Sequence, residues 1–317
     1  MIRIGSRGSA LARWQAEHIA TQLRERGEEV SIELLVTTGD RVQTAPFLQV
    51  GTKGMFTKEI EEALADKRID LAVHSLKDLP TVLDFTFVLA AIPERADARD
   101  AFVSIDHDSL HALPAGAIVG TSSLRRQALL RSLRPDLDVR ELRGNVDTRL
   151  RKLQERQYDA VVLASAGLER LRQTHWIRER FSSETMCPAP GQGALAIECR
   201  TDDAPTRALL TPLDHAPTHF AVTAERAALA TLEGGCQVPI GVHCEPIATG
   251  GWRITGVVAR PDGARVLREH MDFAGVSSDL AAAQLAGVSI ADRLLRAGAA
   301  ELLALPEIFR SAGNSNA

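Results

Sequence analysis

No run of about eighteen apolar residues occurs in this 317-residue chain, so no membrane-spanning helix is expected. An apolar signal segment is missing too. The opening MIRIGSRGSALARWQ carries Arg3, Arg7 and Arg13 without an apolar stretch, which argues against secretion. Cysteine is scarce. The four present, Cys187, Cys199, Cys236 and Cys244, show no C-x-x-C spacing, so no zinc site and no thioredoxin-type motif is expected. A chain this long builds a core without disulfides, and a reducing cytoplasm fits it best. Charge of one sign is not in large excess either. A formal net charge of −4 argues against a nucleic-acid partner held by bulk electrostatics, so any anion-binding surface has to come from local basic clusters.

What is present is the pattern of an ordinary globular protein of two or three domains, 45% hydrophobic. IRIGS reads as a strand. Ser9 then caps a helix with Ala12, Ala16, Ile19, Ala20 and Leu23 on one face. SIELLVTT, the helical KGMFTKEIEEALADKR and the apolar strand IDLAVHSL follow. After a charged crossing segment, PERADARDA, the alternation restarts with AGAIVG, TSSLRRQALLRSL, LDVRELR, NVDTRLRKLQERQ, YDAVVLAS and AGLERLR. Alternation of this kind predicts α/β domains with mostly parallel sheets. CPAPGQGALAIECR returns the chain to the first domain through the strand-like ALAIEC. From about residue 215 a long helix, the strands VPIGVHCEP and WRITGVVAR, a PDG hairpin turn, ARVLREHMDFA and a last helix near 278–298 form a small α+β domain. The expected division is 1–95 with 190–212, then 96–189, then 213–310, with the tail SAGNSNA disordered.

Three stretches carry chemistry. GTSSLRR, residues 120–126, puts Thr121, Ser122 and Ser123 at a helix start, where free N–H groups and the helix dipole attract anions. Arg125 and Arg126 follow at once, and ELRGNVDTRL adds Arg143 and Arg149. Arginine suits bidentate capture of carboxylate or phosphate. Arg131, Arg134, Arg151 and Arg156 read instead as a solvated basic face. AVHSLKDLP, residues 72–80, sets Ser75, Lys77 and Asp78 at a strand's carboxyl end, the place where open α/β sheets bind ligands. GSRGSA does the same for Arg7 and Ser9. Some signals are rejected. GQGALA matches a weak dinucleotide pattern, but Pro188 and Pro190 stand where its strand should be. GTKGMF lacks P-loop spacing, and His74 reads as a strand histidine rather than a metal ligand. Cys236 sits in EGGCQVPIG, among residues unlike a core; on these residues alone it is either an idle loop cysteine or a thiol presented for chemistry.

KGMFTKE, AVHSLKD, GTSSLRRQ, LRGNVDTRL, PGQGA and LEGGCQVPIG occur in this order at fitting distances, and with them the chain closely resembles the porphobilinogen deaminase family along nearly its whole length. One departure is Thr52, where the family more often has glycine, in a loop around residues 41–55 that is mobile in the family. The resemblance implies two α/β lobes like those of periplasmic binding proteins, a cleft between them, and a third domain carrying the cysteine. It implies tetrapyrrole (porphyrin, haem) biosynthesis: four porphobilinogen molecules joined head to tail by a transferase, each losing ammonia, and hydroxymethylbilane released by water. It implies a dipyrromethane cofactor attached covalently through a thioether to Cys236, in a cytoplasmic monomer.

By the same resemblance Asp78 is the catalytic carboxylate, stabilising the cationic azafulvene left by deamination and moving protons. Ser75, Lys77, Thr121, Ser122, Ser123, Arg125, Arg126, Arg143 and Gly144 hold the cofactor; Arg7, Ser9, Lys53, Phe56, Arg149, Arg170 and Gln192 hold substrate; no metal is implied. Two rival readings remain on the residues alone. One is an anion-binding two-lobed receptor without catalysis. The other is a thiol enzyme using Cys236 transiently, against which stands the lack of an evident base, since His243 lies beyond Pro239 on the next strand.

Overall fold

The computed structural model describes residues 1–37, 57–233 and 238–304. Lys53, Phe56 and Cys236 therefore lie outside the described residues, as do Thr52 with its loop and the tail SAGNSNA. The first sheet contains β1 (Ile2–Arg7), β2 (Val30–Leu35), β3 (Leu71–Ser75), β4 (Phe87–Ala91) and β10 (Leu195–Arg200), in the order β2-β1-β3-β10-β4. The second contains β5 (Asp100–Ser104), β6 (Ile118–Gly120), β7 (Asp138–Arg140), β8 (Ala160–Ala164) and β9 (Ile177–Arg180), in the order β7-β6-β8-β5-β9. The two orders are the same pattern. In each, the fourth strand is the one that enters from the other sheet, and it runs antiparallel to both neighbours. The sheets are thus mixed, where the alternation of elements predicts mostly parallel ones; only β1 with β2 and β3, and β6 with β7 and β8, pair in parallel.

Helices cover these sheets for the reasons visible in the sequence. Helix α1 (Ala10–Arg24) starts at Ser9, whose Oγ accepts from Ala12 N at 3.3 Å, and buries Ala16, Ile19, Ala20 and Leu23 against the first sheet. Helix α2 (Lys58–Ala65) buries Ile60, Ala63 and Leu64 over its other face. On the second sheet lie α3 (Leu124–Leu133), α4 (Val146–Gln154, capped by Asn145) and α5 (Ser165–Arg170). Strands β4, β5 and β9 are absent from the pattern read off the sequence. β4 and β9 are edge strands with mostly half-buried side chains, and β5 opens on a charge, Asp100.

After α6 (Ala204–Leu210) comes α7 (Ala216–Thr231), then the antiparallel sheet β11 (Ile240–Pro246), β12 (Trp252–Ala259) and β13 (Val266–Phe273), then α8 (Leu280–Arg296) and α9 (Ala299–Leu303). Phe220, Val242, Ile254, Ile290 and Leu294 form its core. Glu225 of α7 ties this unit to the rest. Fully buried, it accepts from the Arg95 guanidinium at 2.7 and 3.1 Å, from Gly191 N at 2.7 Å and from Cys244 N at 2.8 Å. Burial alone would raise its pKa, but Arg95 and His243 override that and hold it at about 2.

Candidate functional site

Two of the parallel strands of the first sheet, β1 and β3, end in polar residues. β1 ends at Arg7, with Ser9 two residues on. β3 ends at Ser75 and passes into a single helical turn, Leu76–Asp78, pinned by the buried Leu76 and by its N–H bond to Ala194 O at 3.1 Å. That turn leaves Lys77 half-buried and Asp78 exposed. Gln15, buried on α1, donates to Ser75 Oγ at 2.8 Å. Arg7, Ser9, Gln15, His74, Ser75 and Asp78 line one cavity of about 80 Å³. His74 is a strand histidine, as expected, with Nε2 2.9 Å from Glu198 Oε2, and no cluster able to hold a metal occurs among the described residues.

On the second sheet β6 ends at Gly120. Thr121 is buried, and its Oγ1 accepts from Ser123 N at 3.3 Å. Ser123 caps α3, its Oγ accepting from Arg126 N at 3.5 Å. Ser122 Oγ accepts from Arg149 Nη2 at 3.1 Å. Arg149 Nε donates to Gly144 O at 2.7 Å. Gly144 has φ 110°, and a Cβ there would meet Thr148 Cβ at 2.7 Å, so this carbonyl is presented in a way a side chain would block. Arg143 reaches Glu141, Nε to Oε1 at 2.8 Å.

Arg125 and Arg126 occupy the first turn of α3, where anions are favoured, yet the anion they meet is the chain's own. Arg125 Nη1 donates to Asp100 Oδ2 at 2.7 Å and to Cys187 O at 2.7 Å. Arg126 grips Asp100 Oδ1 through Nε at 3.0 Å and Nη2 at 2.7 Å. All three side chains are buried. Burial would raise the pKa of Asp100; the two guanidiniums reverse that and hold its carboxyl well below the usual range. Two arginines around one carboxylate leave one net positive charge, and Arg125 Nε is buried without a protein acceptor. Gln192, also buried, joins the groups. Its Nε2 donates to Asp100 Oδ1 at 2.8 Å, while its Oε1 accepts from Lys77 Nζ at 3.4 Å and Arg126 Nη2 at 3.3 Å. Burial, ahead of the repulsion from Arg126, lowers Lys77 to about 8 in spite of Asp78.

Arg170 closes the group from α5. Its Nη2 donates to Gly193 O at 2.7 Å, and burial pushes its pKa down to about 10. Gly193 has φ 86°, and a Cβ would lie 2.5 Å from Ala96 O, so the two crossing segments touch at a residue that has to be glycine. Burial and then the nearby Arg126 take Arg149 down to about 10 as well, with Asp78 close enough to oppose the shift. Among the described residues no carboxylate comes within 4.0 Å of the guanidinium of Arg149 or Arg170.

The structure thus gathers Arg7, Ser9, Ser75, Lys77, Asp78, Thr121, Ser122, Ser123, Arg125, Arg126, Arg149, Arg170 and Gln192 around facing strand ends. Sequence reasoning misses Asp100 and Gln15. Asp100 opens an apolar strand, and Gln15 is a polar residue on an otherwise apolar helix face; each is a local exception to its pattern. Arg131 and Arg134, read as solvated, instead hold carbonyls, of Pro261 at 2.7 Å and of Leu110 at 2.9 Å.

Two α/β units that place arginines, a lysine and hydroxyls near the ends of β1, β3 and β6, with a third unit packed beside them, define a three-unit α/β protein. No helix among the described residues is long and apolar enough to cross a membrane. Residues 2–208 match the family model described as "Porphobilinogen deaminase, dipyromethane cofactor binding domain", and residues 219–296 match "Porphobilinogen deaminase, C-terminal domain". A porphobilinogen deaminase from Nitratidesulfovibrio vulgaris is 52% identical over 311 residues, 97% of each chain. The chain belongs to the porphobilinogen deaminase family. Among solved structures, an ABC-transporter periplasmic substrate-binding protein from Coxiella burnetii is similar at 16% identity, with a TM-score of 0.44, over 69% of this chain and 93% of that one. A nutrient-binding protein from Burkholderia cenocepacia bound to methionine is similar at 16% identity, with a TM-score of 0.42, over 66% and 90%.

Proposed function

We propose that the chain condenses porphobilinogen head to tail into hydroxymethylbilane, with Asp78 as its catalytic carboxylate and Cys236 carrying the dipyrromethane. The observation behind this reading is that Arg149 and Arg170 are desolvated with no carboxylate within 4.0 Å among the described residues, Arg149 lying near enough to the exposed Asp78 to feel its charge. A buried charge without a partner is costly, and the acetate and propionate arms of a pyrrole chain supply the missing partners. The residues present fit a covalently held, carboxylate-rich cofactor on the same ground, together with the unsatisfied Arg125 Nε. Ser75, Lys77, Thr121, Ser122, Ser123, Arg125, Arg126, Arg143 and Gly144 would hold it. When bound, it supplies the pyrrole carbon onto which the chain grows. Arg7, Ser9, Arg149, Arg170 and Gln192, with Lys53 and Phe56, receive substrate.

Asp78 gives a proton to the departing amine and later takes the one lost from the attacked ring carbon, so the carboxyl ends each cycle as it began. Between those transfers its charge faces the cationic carbon. At ~4 Å and an effective dielectric near 20 such a pair is worth about 4 kcal/mol. Its exposure allows this work without a role in the core. The cysteines support the choice of Cys236 by contrast: burial raises the thiols of Cys187 and Cys199 to about 12 and about 11, and Cys244 higher still, which leaves them poor nucleophiles. The proposed division into 1–95 with 190–212, 96–189 and 213–310, a monomeric state and a cytoplasmic location complete the reading.

Intact mass of the denatured protein tests the attachment. A gain of one dipyrromethane is expected, lost in Cys236→Ser and kept in Cys187→Ser, Cys199→Ser and Cys244→Ser; an unmodified chain in active enzyme would sink it. Asp78→Asn is expected to keep the fold and the adduct yet lose about 10²–10⁴ in turnover, with a small residual rate in Asp78→Glu. Near-normal turnover by loaded Asp78→Asn protein would return Asp78 to a turn residue before Pro80.

A further inference from the structure

Arg170 is held by groups from two sides of the molecule. One is the carbonyl of Gly193, on the segment that crosses back to the first sheet. The other is Trp14, on α1: the Arg170 guanidinium carbon lies 5.6 Å from the indole centroid. Trp14 itself stacks on His18, with ring centroids 5.0 Å apart and planes within 10°. Helices α1 and α5 approach each other alongside, since a Cβ added at Gly167 would lie 3.9 Å from Leu11 Cδ2. The stack therefore bridges the two sheet units beside the proposed site.

An indole and a carboxylate use different parts of a guanidinium. The ring takes the flat face of the cation, and carboxylate oxygens take the N–H groups in its plane. Gly193 O takes an N–H of Nη2, and among the described residues no other acceptor is bonded to the fork. We propose that Trp14 is a positioning residue for substrate binding: it fixes the plane of Arg170 so that the remaining donors meet a pyrrole carboxylate already aligned. The inference rests on the reading above, in which Arg170 holds substrate. Its physical content is preorganisation. A free arginine side chain has to be ordered each time a substrate arrives, whereas one held between a carbonyl and an indole does not. Arg125 and Arg126 have no such need, because Asp100 orders them.

A double-mutant cycle on kcat/KM for porphobilinogen tests this. Trp14→Leu is expected to lower it by about 3- to 30-fold, the range of a cation over a partly desolvated indole, and Trp14→Phe to keep most of it. With Arg170→Gln already in place, Trp14→Leu is expected to cost less than about twofold more, because the group it positions is gone. Thermal unfolding of each variant shows which are folded, and Trp14→Gln, which equally lacks an aromatic face, carries the same cycle with the same expected factors if the leucine variant is not. Two results overturn the inference: the same factor lost from Trp14→Leu with and without Arg170, or a Trp14→Phe rate no different from wild type combined with an unchanged rate in folded Trp14→Leu. An Arg170→Gln enzyme with wild-type kcat/KM would instead remove the substrate-holding role of Arg170 on which the inference stands, so the two failures are told apart by that single variant.

Discussion

Arg125 and Arg126 share one carboxylate, whereas among the described residues Arg149 and Arg170 have none within 4.0 Å. The first pair reads from sequence as a ligand-binding candidate, since both residues follow a donor-rich helix start. The structure gives that pair to Asp100 and to the carbonyls of Cys187 and Val162. Among the described residues the hydrogen bonds of Arg149 and Arg170 go to hydroxyl and carbonyl oxygens, and Arg170 also packs over Trp14. The difference is one of charge accounting inside a low dielectric. A paired arginine is already near its best arrangement and contributes mainly to architecture and residual field. An arginine without an acid has electrostatic energy still to gain, and an anionic ligand is what provides it.

Breaking the paired set is expected to give the largest effect. Asp100→Asn removes the carboxylate bonded to two buried guanidiniums and weakens the hold on Gln192, so a loss of about 3–5 kcal/mol in stability is expected. Chemical denaturation measures it. A loss below about 1 kcal/mol would mean that water reaches Arg125 and Arg126 freely, and the contrast between the two sets would collapse.

The second set is expected to behave in the opposite sense. Arg149→Leu removes a desolvated charge with no carboxylate within 4.0 Å among the described residues, so stability is expected to stay within about 1 kcal/mol of wild type or to rise. Function is where it shows. Losing one charge-assisted hydrogen bond to a carboxylate, worth about 1.5–3 kcal/mol, lowers kcat/KM for porphobilinogen by roughly 10- to 150-fold. Unfolding curves and steady-state rates on the same preparation check both halves. A variant that is strongly destabilised but catalytically normal would show that Arg149 is architectural and that the contrast was drawn in the wrong place.

The parts of this contrast were unequally legible in the sequence. Ser9, Ser123 and Asn145 sit before helices with spacings that fix their caps, and the apolar LAVHS declares a strand whose end has to carry Ser75, Lys77 and Asp78. Those are local rules, so local patterns reveal them. Asp100 is 25 residues from Arg125, and nothing in PERADARDA distinguishes it from Asp97, which stays near the surface against Arg99 at 2.8 Å. Pairing across a fold is set by topology: β5 has to enter the second sheet beside β8 before Asp100 lies under α3. The same holds for Gln15 and Ser75, and for β10, whose antiparallel insertion depends on where the chain has already crossed. The family motifs mark such residues without saying which of them are already neutralised.

Lys77 lies between the two sets, and its effect is expected to be the smallest. It has a neutral partner in Gln192 and a carboxylate next to it in sequence, and burial still lowers it to about 8. A lysine whose folded pKa lies below its ordinary 10.5 disfavours the protonated folded state. Its charge therefore opposes stability below about pH 8, and that penalty is relieved as pH rises from about 8 toward 10.5. Carboxylate binding has the reverse dependence, because only the ammonium form attracts the ligand. Between pH 7 and 9 loading of the wild-type apoprotein with the dipyrromethane is expected to weaken, by about twofold at pH 8 and no more than about tenfold at pH 9, as the charged fraction falls. Lys77→Met is expected to bind weakly at pH 7 but without that slope, and to be slightly more stable than wild type there. Parallel slopes in the two proteins would assign the pH dependence to another group and leave Lys77 among the residues whose charge is already met.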